Sequence, residues 1–75
     1  MEDIIRFLKQ EIPNSDITYV VEGAKMKLSI TAEMFSHMTR LDRQRYVKKL
    51  LAPWIHSGEL HAVVLKIKGR DENVS

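Results

Sequence analysis

Between Met26 and Ile67 the spacing of apolar residues changes twice. Met26, Leu28 and Ile30 alternate with Lys27, Ser29 and Thr31, the period of a strand with one buried face. Val47, Leu50, Leu51, Trp54 and Ile55 then recur at i, i+3, i+4, i+7 and i+8, which marks one face of a helix. Residues 60–67 read as a strand again. A helix of this length between two strands normally returns the chain parallel to the strand it left. The spacing therefore predicts that the second and third strands are parallel, with both helices on one face of the sheet.

The remaining segments complete the order. Ile4, Ile5, Leu8 and Ile12 have helical spacing, Asp3 is placed to cap the start and Pro13 to stop the run, giving a helix over residues 2–12. Pro13 to Asp16 carries turn residues. Ile17 to Val21 is β-branched or aromatic throughout, and Glu22-Gly23-Ala24-Lys25 is a short turn, so the first two strands form an antiparallel hairpin. Thr39 or Asp42 can cap the second helix. Pro53 lacks an N–H and crowds the carbonyl of Lys49, which predicts a kink or restart near Ala52 before the helical trend ends at His56. Ser57-Gly58 follows, and the polar segment from Gly69 to Ser75 reads as a frayed tail. The class is α+β, ordered α-β-β-α-β, with a three-stranded sheet in one domain spanning residues 1–75.

Composition narrows the chemistry. A chain of 75 residues can build one modest core and no deep substrate cavity beside it. It has no cysteine, so it can form neither a disulfide nor a thiolate metal site alone. No apolar run approaches the ~20 residues of a membrane span, and the acidic start lacks the form of a signal peptide, so a cytoplasmic protein is expected. Paired carboxylates, a nucleophile triad and a phosphate loop are all missing from the sequence, and no enzymatic activity or small-molecule substrate is expected. The net charge of +2 is uneven: residues 1–39 hold four bases against six acids, residues 40–75 eight bases against four acids. Arg40, Arg43, Arg45, Lys48 and Lys49 lie at the start and along one side of the second helix. They suit an ordinary solvated face, an acidic protein partner or nucleic acid.

Three histidines remain. Parallel neighbours begin at the same end of a sheet, so His61 is expected near the Gly23–Lys25 turn, with His56 at that end too. His37 is expected at the other end, roughly 23 Å away along a seven-residue strand at 3.3 Å per residue. His61 shares strand parity with Val63, Leu65 and Ile67, which fits a half-buried ring with one nitrogen hydrogen-bonded; it also fits a ligand. His56 near a helix end gains from the helix dipole, and His37 suits a solvated loop.

The residues Phe35 to Arg45, followed by the Leu60-His61-Ala62-Val63-Val64-Leu65-Lys66 strand, resemble the BolA-like proteins, with the short bacterial branch nearest. The similarity covers about residues 4–68. It implies the family fold, with a type II KH-like sheet, which agrees with the order derived above. It also implies a monothiol glutaredoxin partner and a shared [2Fe–2S] cluster, for which glutaredoxin and glutathione supply thiolates and this chain supplies His61. Such a role lies in iron–sulfur assembly or iron regulation. Imidazole can replace thiolate on one iron, as in Rieske centres. Lys25 stands where many relatives carry a second His or Cys, and a protonated lysine has no lone pair to donate; His56 is then the alternative second ligand. His37 replaces the usual glycine. The family is also linked to transcriptional regulation and stress, so binding of DNA or RNA through the basic helix is the alternative function. No Gly-x-x-Gly loop supports it.

Overall fold

The computed structural model describes residues 2–70. Helix α1 spans Glu2–Glu11, strand β1 Asp16–Glu22, strand β2 Lys25–Thr31, a 3-10 turn Glu33–His37, helix α2 Arg40–His56 and strand β3 Ala62–Lys68. The sheet order is β1-β2-β3. β1 pairs antiparallel with β2, from Asp16 opposite Thr31 to Glu22 opposite Lys25. β2 pairs parallel with β3, from Lys25 opposite Ala62 to Thr31 opposite Lys68. The predicted class, order and crossover geometry are those observed.

Alternation along β2 divides the sheet into two sides. Met26, Leu28 and Ile30 are buried, while Lys25, Lys27 and Ser29 are exposed. The buried side meets Ile4, Ile5, Leu8 and Ile12 from the α1 segment, Val47 and Leu51 from α2, and Ala32, Phe35, Leu60 and Ile67. Burying a side chain of this size contributes roughly 1.5–3 kcal/mol. Phe7 packs on Trp54 with ring centroids 5.4 Å apart, joining the two helices. β1 is the thin part of the structure: only Ile17 is partly covered, and Tyr19, Val20 and Val21 are all exposed.

Several local expectations are corrected. Asp3 lies inside the first turn of α1, where its charge suits the helix dipole, and does not precede the helix as a cap. Thr39 caps α2, its Oγ1 accepting from the Asp42 N–H at 3.1 Å. Helix α2 runs unbroken to His56 through Pro53, with no restart at Ala52. Pro53 sits in the last turn, so it forfeits a single helical bond, and packing of the neighbouring Trp54 against Phe7 holds the turn in place. Strand β3 begins at Ala62, two residues later than its apolar run, because the parallel ladder starts only where the chain reaches Lys25.

Gly69 and Arg70 are not frayed. Gly69 is buried against Ser36, and a Cβ there would stand 2.6 Å from the Ser36 Cα and 2.8 Å from its N. Arg70 donates from Nη1 to Asp16 at 2.8 Å and from Nη2 to the Asn14 carbonyl. Both contacts join residues far apart in the chain, which no local reading registers. Residues 71–75 of the expected tail lie outside the described residues. Gly69→Ala should force backbone apart and destabilise the fold by about 1–3 kcal/mol, the usual cost of overpacking; a denaturant midpoint equal to wild type would contradict that contact.

Candidate functional site

The parallel ladder places His61 at the hairpin end of the sheet. Helix α2 stops where Gly58 adopts φ +87°, a conformation that favours glycine. Ser57 Oγ donates to the Trp54 carbonyl at 3.1 Å and accepts from the Glu59 N–H at 3.3 Å. The Leu60 N–H donates to the same Trp54 carbonyl, and the Leu60 side chain is 1% exposed. Leu60 thus closes the core, and the next residue is carried out of it. The His61 N–H donates to the Ala24 carbonyl at 3.0 Å, immediately before Ala62 pairs with Lys25.

The backbone of His61 is therefore tied to the hairpin turn, while its ring is exposed. Among the described residues the imidazole makes no hydrogen bond. Of the two readings open for His61, a half-buried hydrogen-bonded ring and an exposed donor, the ring has the exposure of the second. Strand parity does assign His61 to the covered face, but the residue precedes the strand and Leu60 occupies the buried position beside it.

The other candidates lie where the topology puts them. Lys25 opens β2 beside Ala62 and is exposed. His56 is the exposed last residue of α2, which ends on the same side of the sheet as His61. His37 is exposed at the end of the 3-10 turn beyond β2, the opposite side. No group of three His, Cys, Asp or Glu residues that could hold a metal occurs among the described residues. At this end the chain offers isolated imidazoles and no closed coordination shell.

The five cations ascribed to α2 do not share one surface. Arg40 and Arg43 line a cleft of about 290 Å³ against β3, together with Lys66, Lys68, Gln44, Leu65 and Ile67. Arg45, Lys48 and Lys49 are exposed and lie outside that cleft. Arg43 Nη1 donates to the Ile67 carbonyl and Gln44 Nε2 to the Leu65 carbonyl, each at 3.2 Å. Lys66 and Lys68 escaped the sequence reading because they alternate on a strand 22 or more residues downstream. Only the packing of α2 along β3 brings them beside Arg40.

Comparison with known proteins places this geometry. A family model described as BolA-like protein matches residues 6–72. The chain belongs to the BolA-like family. BolA1 from Arabidopsis thaliana superposes with a TM-score of 0.87 at 20% identity, over 97% of this chain and 94% of that one. A bolA protein homologue from Coxiella burnetii gives 0.78 at 24% identity, over 95% and 91%. The BolA domain of SufE1 from Arabidopsis thaliana gives 0.79 at 22% identity, over 96% and 93%. An uncharacterized protein of the rpoN-murA intergenic region in Acinetobacter guillouiae is 28% identical over 71 residues, covering 95% of this chain and 86% of that protein. The BolA-like fold is thus shared across sequences that have diverged widely. No helix among the described residues is long and apolar enough to cross a membrane.

The contrast between Leu60 and His61 can be measured. His61→Ala should change stability by no more than about 0.5 kcal/mol, as for a surface substitution without internal partners. Leu60→Ala should cost about 2–5 kcal/mol through lost burial and a residual cavity. Urea denaturation of both variants checks the pair; a large loss at His61 would mean that the ring is structural.

Proposed function

We propose that this BolA-like chain is a non-enzymatic adaptor that pairs with a monothiol glutaredoxin and donates His61 to a shared [2Fe–2S] cluster. The single observation that carries this reading is an exposed imidazole with no hydrogen bond among the described residues, set on a backbone fixed by the Ala24 carbonyl. Fixing the backbone lowers the entropy lost when a side chain engages a partner. A free nitrogen is what an outside iron requires.

The donor set fits a shared cluster better than a resident one. The chain has no cysteine and no metal-holding group of three among its described residues. Thiolates must therefore come from elsewhere, and glutaredoxin with glutathione would supply them. Lys25, exposed beside Ala62, is not counted among the donors. His56 is the remaining imidazole at that end and serves as the candidate second donor. When bound, the cluster supplies iron–sulfur redox chemistry, suited to iron–sulfur assembly or iron regulation. This chain's part is to present the imidazole and to set the docking geometry.

The test is anaerobic mixing with a monothiol glutaredoxin carrying its cluster, followed by visible circular dichroism and by iron and sulfide analysis of the purified complex. Wild type should perturb the cluster spectrum and co-purify with iron. His61→Ala should abolish the perturbation while leaving the fold intact, and His56→Ala should weaken it if His56 is the second donor. Lys25→His, which adds a donor at the turn, should slow cluster loss to a chelator. An unchanged spectrum with both wild type and His61→Ala would remove the basis for the proposal.

A further inference from the structure

We propose that strand β1 pairs with β1 of a second copy of this chain, antiparallel and in register about Tyr19, so that two three-stranded sheets join into one. The inference does not use His61, which precedes β3, two strands away from β1.

The two edges of the sheet differ in what covers them. On β3, Arg43 and Gln44 donate to the Ile67 and Leu65 carbonyls and occupy part of that edge. On β1, no hydrogen bond or ion pair among the described residues reaches Ile17 to Val21 apart from the ladder with β2. Its outward backbone groups are open to another strand. Edges that avoid pairing are commonly blunted by lysine, proline or a bulge. The seven residues of β1 include no lysine, arginine, proline or glycine, and their register with β2 is continuous.

Apolar exposure is concentrated on the same strand. Tyr19, Val20 and Val21 are three of the seven large hydrophobics exposed among the described residues, and they are consecutive. Val20 stands opposite Lys27 on the open side of the sheet, whereas Tyr19 and Val21 stand opposite Leu28 and Met26 on the helix side. Both faces of β1 therefore lack cover. A strand added beyond the edge flanks both faces at once, which a ligand lying on one face does not.

The strand's own sequence selects a second copy as the occupant. Read antiparallel to itself about Tyr19, it sets Ile17 opposite Val21, Thr18 opposite Val20 and Tyr19 opposite Tyr19. Every inner pair is β-branched or aromatic, and moving the axis along the strand shortens the paired stretch. Only the end pairs are acidic, with Asp16 opposite Glu22 of the second copy. Both acids already hold a base, since Arg70 pairs with Asp16 and Lys27 with Glu22. Each end of the interface thus gathers two acids and two bases, with no net charge. The assembly also closes: it uses both β1 edges, and the β3 edges left outside carry the Arg43 and Gln44 side chains. An interface of one strand pair is small, below ~1,200 Å², a size that belongs to weak and reversible association.

The test is sedimentation equilibrium of the full chain from about 10 μM to about 1 mM, the range in which an interface this small dissociates. A monomer–dimer equilibrium is expected, with no larger species. Under dimer conditions, amide hydrogen exchange of the unaltered chain should slow at alternate residues between Asp16 and Glu22. Tyr19→Lys, at an exposed position, sets like charges face to face across the axis and should weaken the dimer at least about tenfold. Tyr19→Glu should do the same, and an equimolar mixture of the two variants should recover the dimer because the facing charges then attract. Val64→Lys, exposed on β3, should change the dimer constant less than about twofold, as for a surface substitution away from the interface. A chain that stays monomeric at the highest concentration overturns the proposal and leaves the edge to a strand of another protein. It is equally overturned if exchange slows elsewhere than β1, if Tyr19→Lys dimerises like wild type, if the mixture of folded variants stays monomeric, or if Val64→Lys weakens the dimer as much as Tyr19→Lys.

Discussion

The parallel pairing of β2 with β3 is the constraint on which the other features rest. Its register, Lys25 opposite Ala62 through Thr31 opposite Lys68, brings together two strands that are distant in the chain. One end of that ladder meets the hairpin turn and fixes the His61 backbone on Ala24. The other end continues into the Ala32 N–H donating to the Lys68 carbonyl at 3.0 Å, which leads to the packing of Gly69 on Ser36. A slip of one residue would turn Met26, Leu28 and Ile30 away from the helices and dismantle the core.

Helix α2 has two duties in this arrangement. Val47 and Leu51 fill the core, while Arg43 and Gln44 reach sideways to the Ile67 and Leu65 carbonyls of β3. An edge strand with free backbone groups is a template for unwanted pairing. Side-chain donors on those carbonyls cover part of that edge without a fourth strand. β1, at the opposite edge, has charged ends instead, with Asp16 paired to Arg70 and Glu22 to Lys27.

The two ends of β3 consequently differ in chemistry. The His61 end offers an exposed imidazole on a fixed backbone. The Lys66–Lys68 end offers concentrated positive charge. A chain of 75 residues builds one modest core, and both features lie at its surface. The BolA-like fold supplies a rigid strand that holds the two apart.

The order of elements, the crossover and the face of each apolar residue in β2 were readable from periodicity, because burial on one side of a strand or helix leaves a repeating mark. The same topology located His61 beside the turn. Other features left no such mark. Strand parity left His61 open between a half-buried and an exposed ring, and Leu60 taking the buried place, with the ladder starting at Ala62, decides for exposure. The order at Gly69 and Arg70 follows from contacts with Ser36, Asn14 and Asp16. The cleft joins Arg40 and Arg43 to Lys66 and Lys68, and the separation of Arg45, Lys48 and Lys49 from them depends on which side of α2 rests on β3. Local patterns record hydrophobic periodicity; contacts between residues far apart in the chain are decided by how the helix and strand pack.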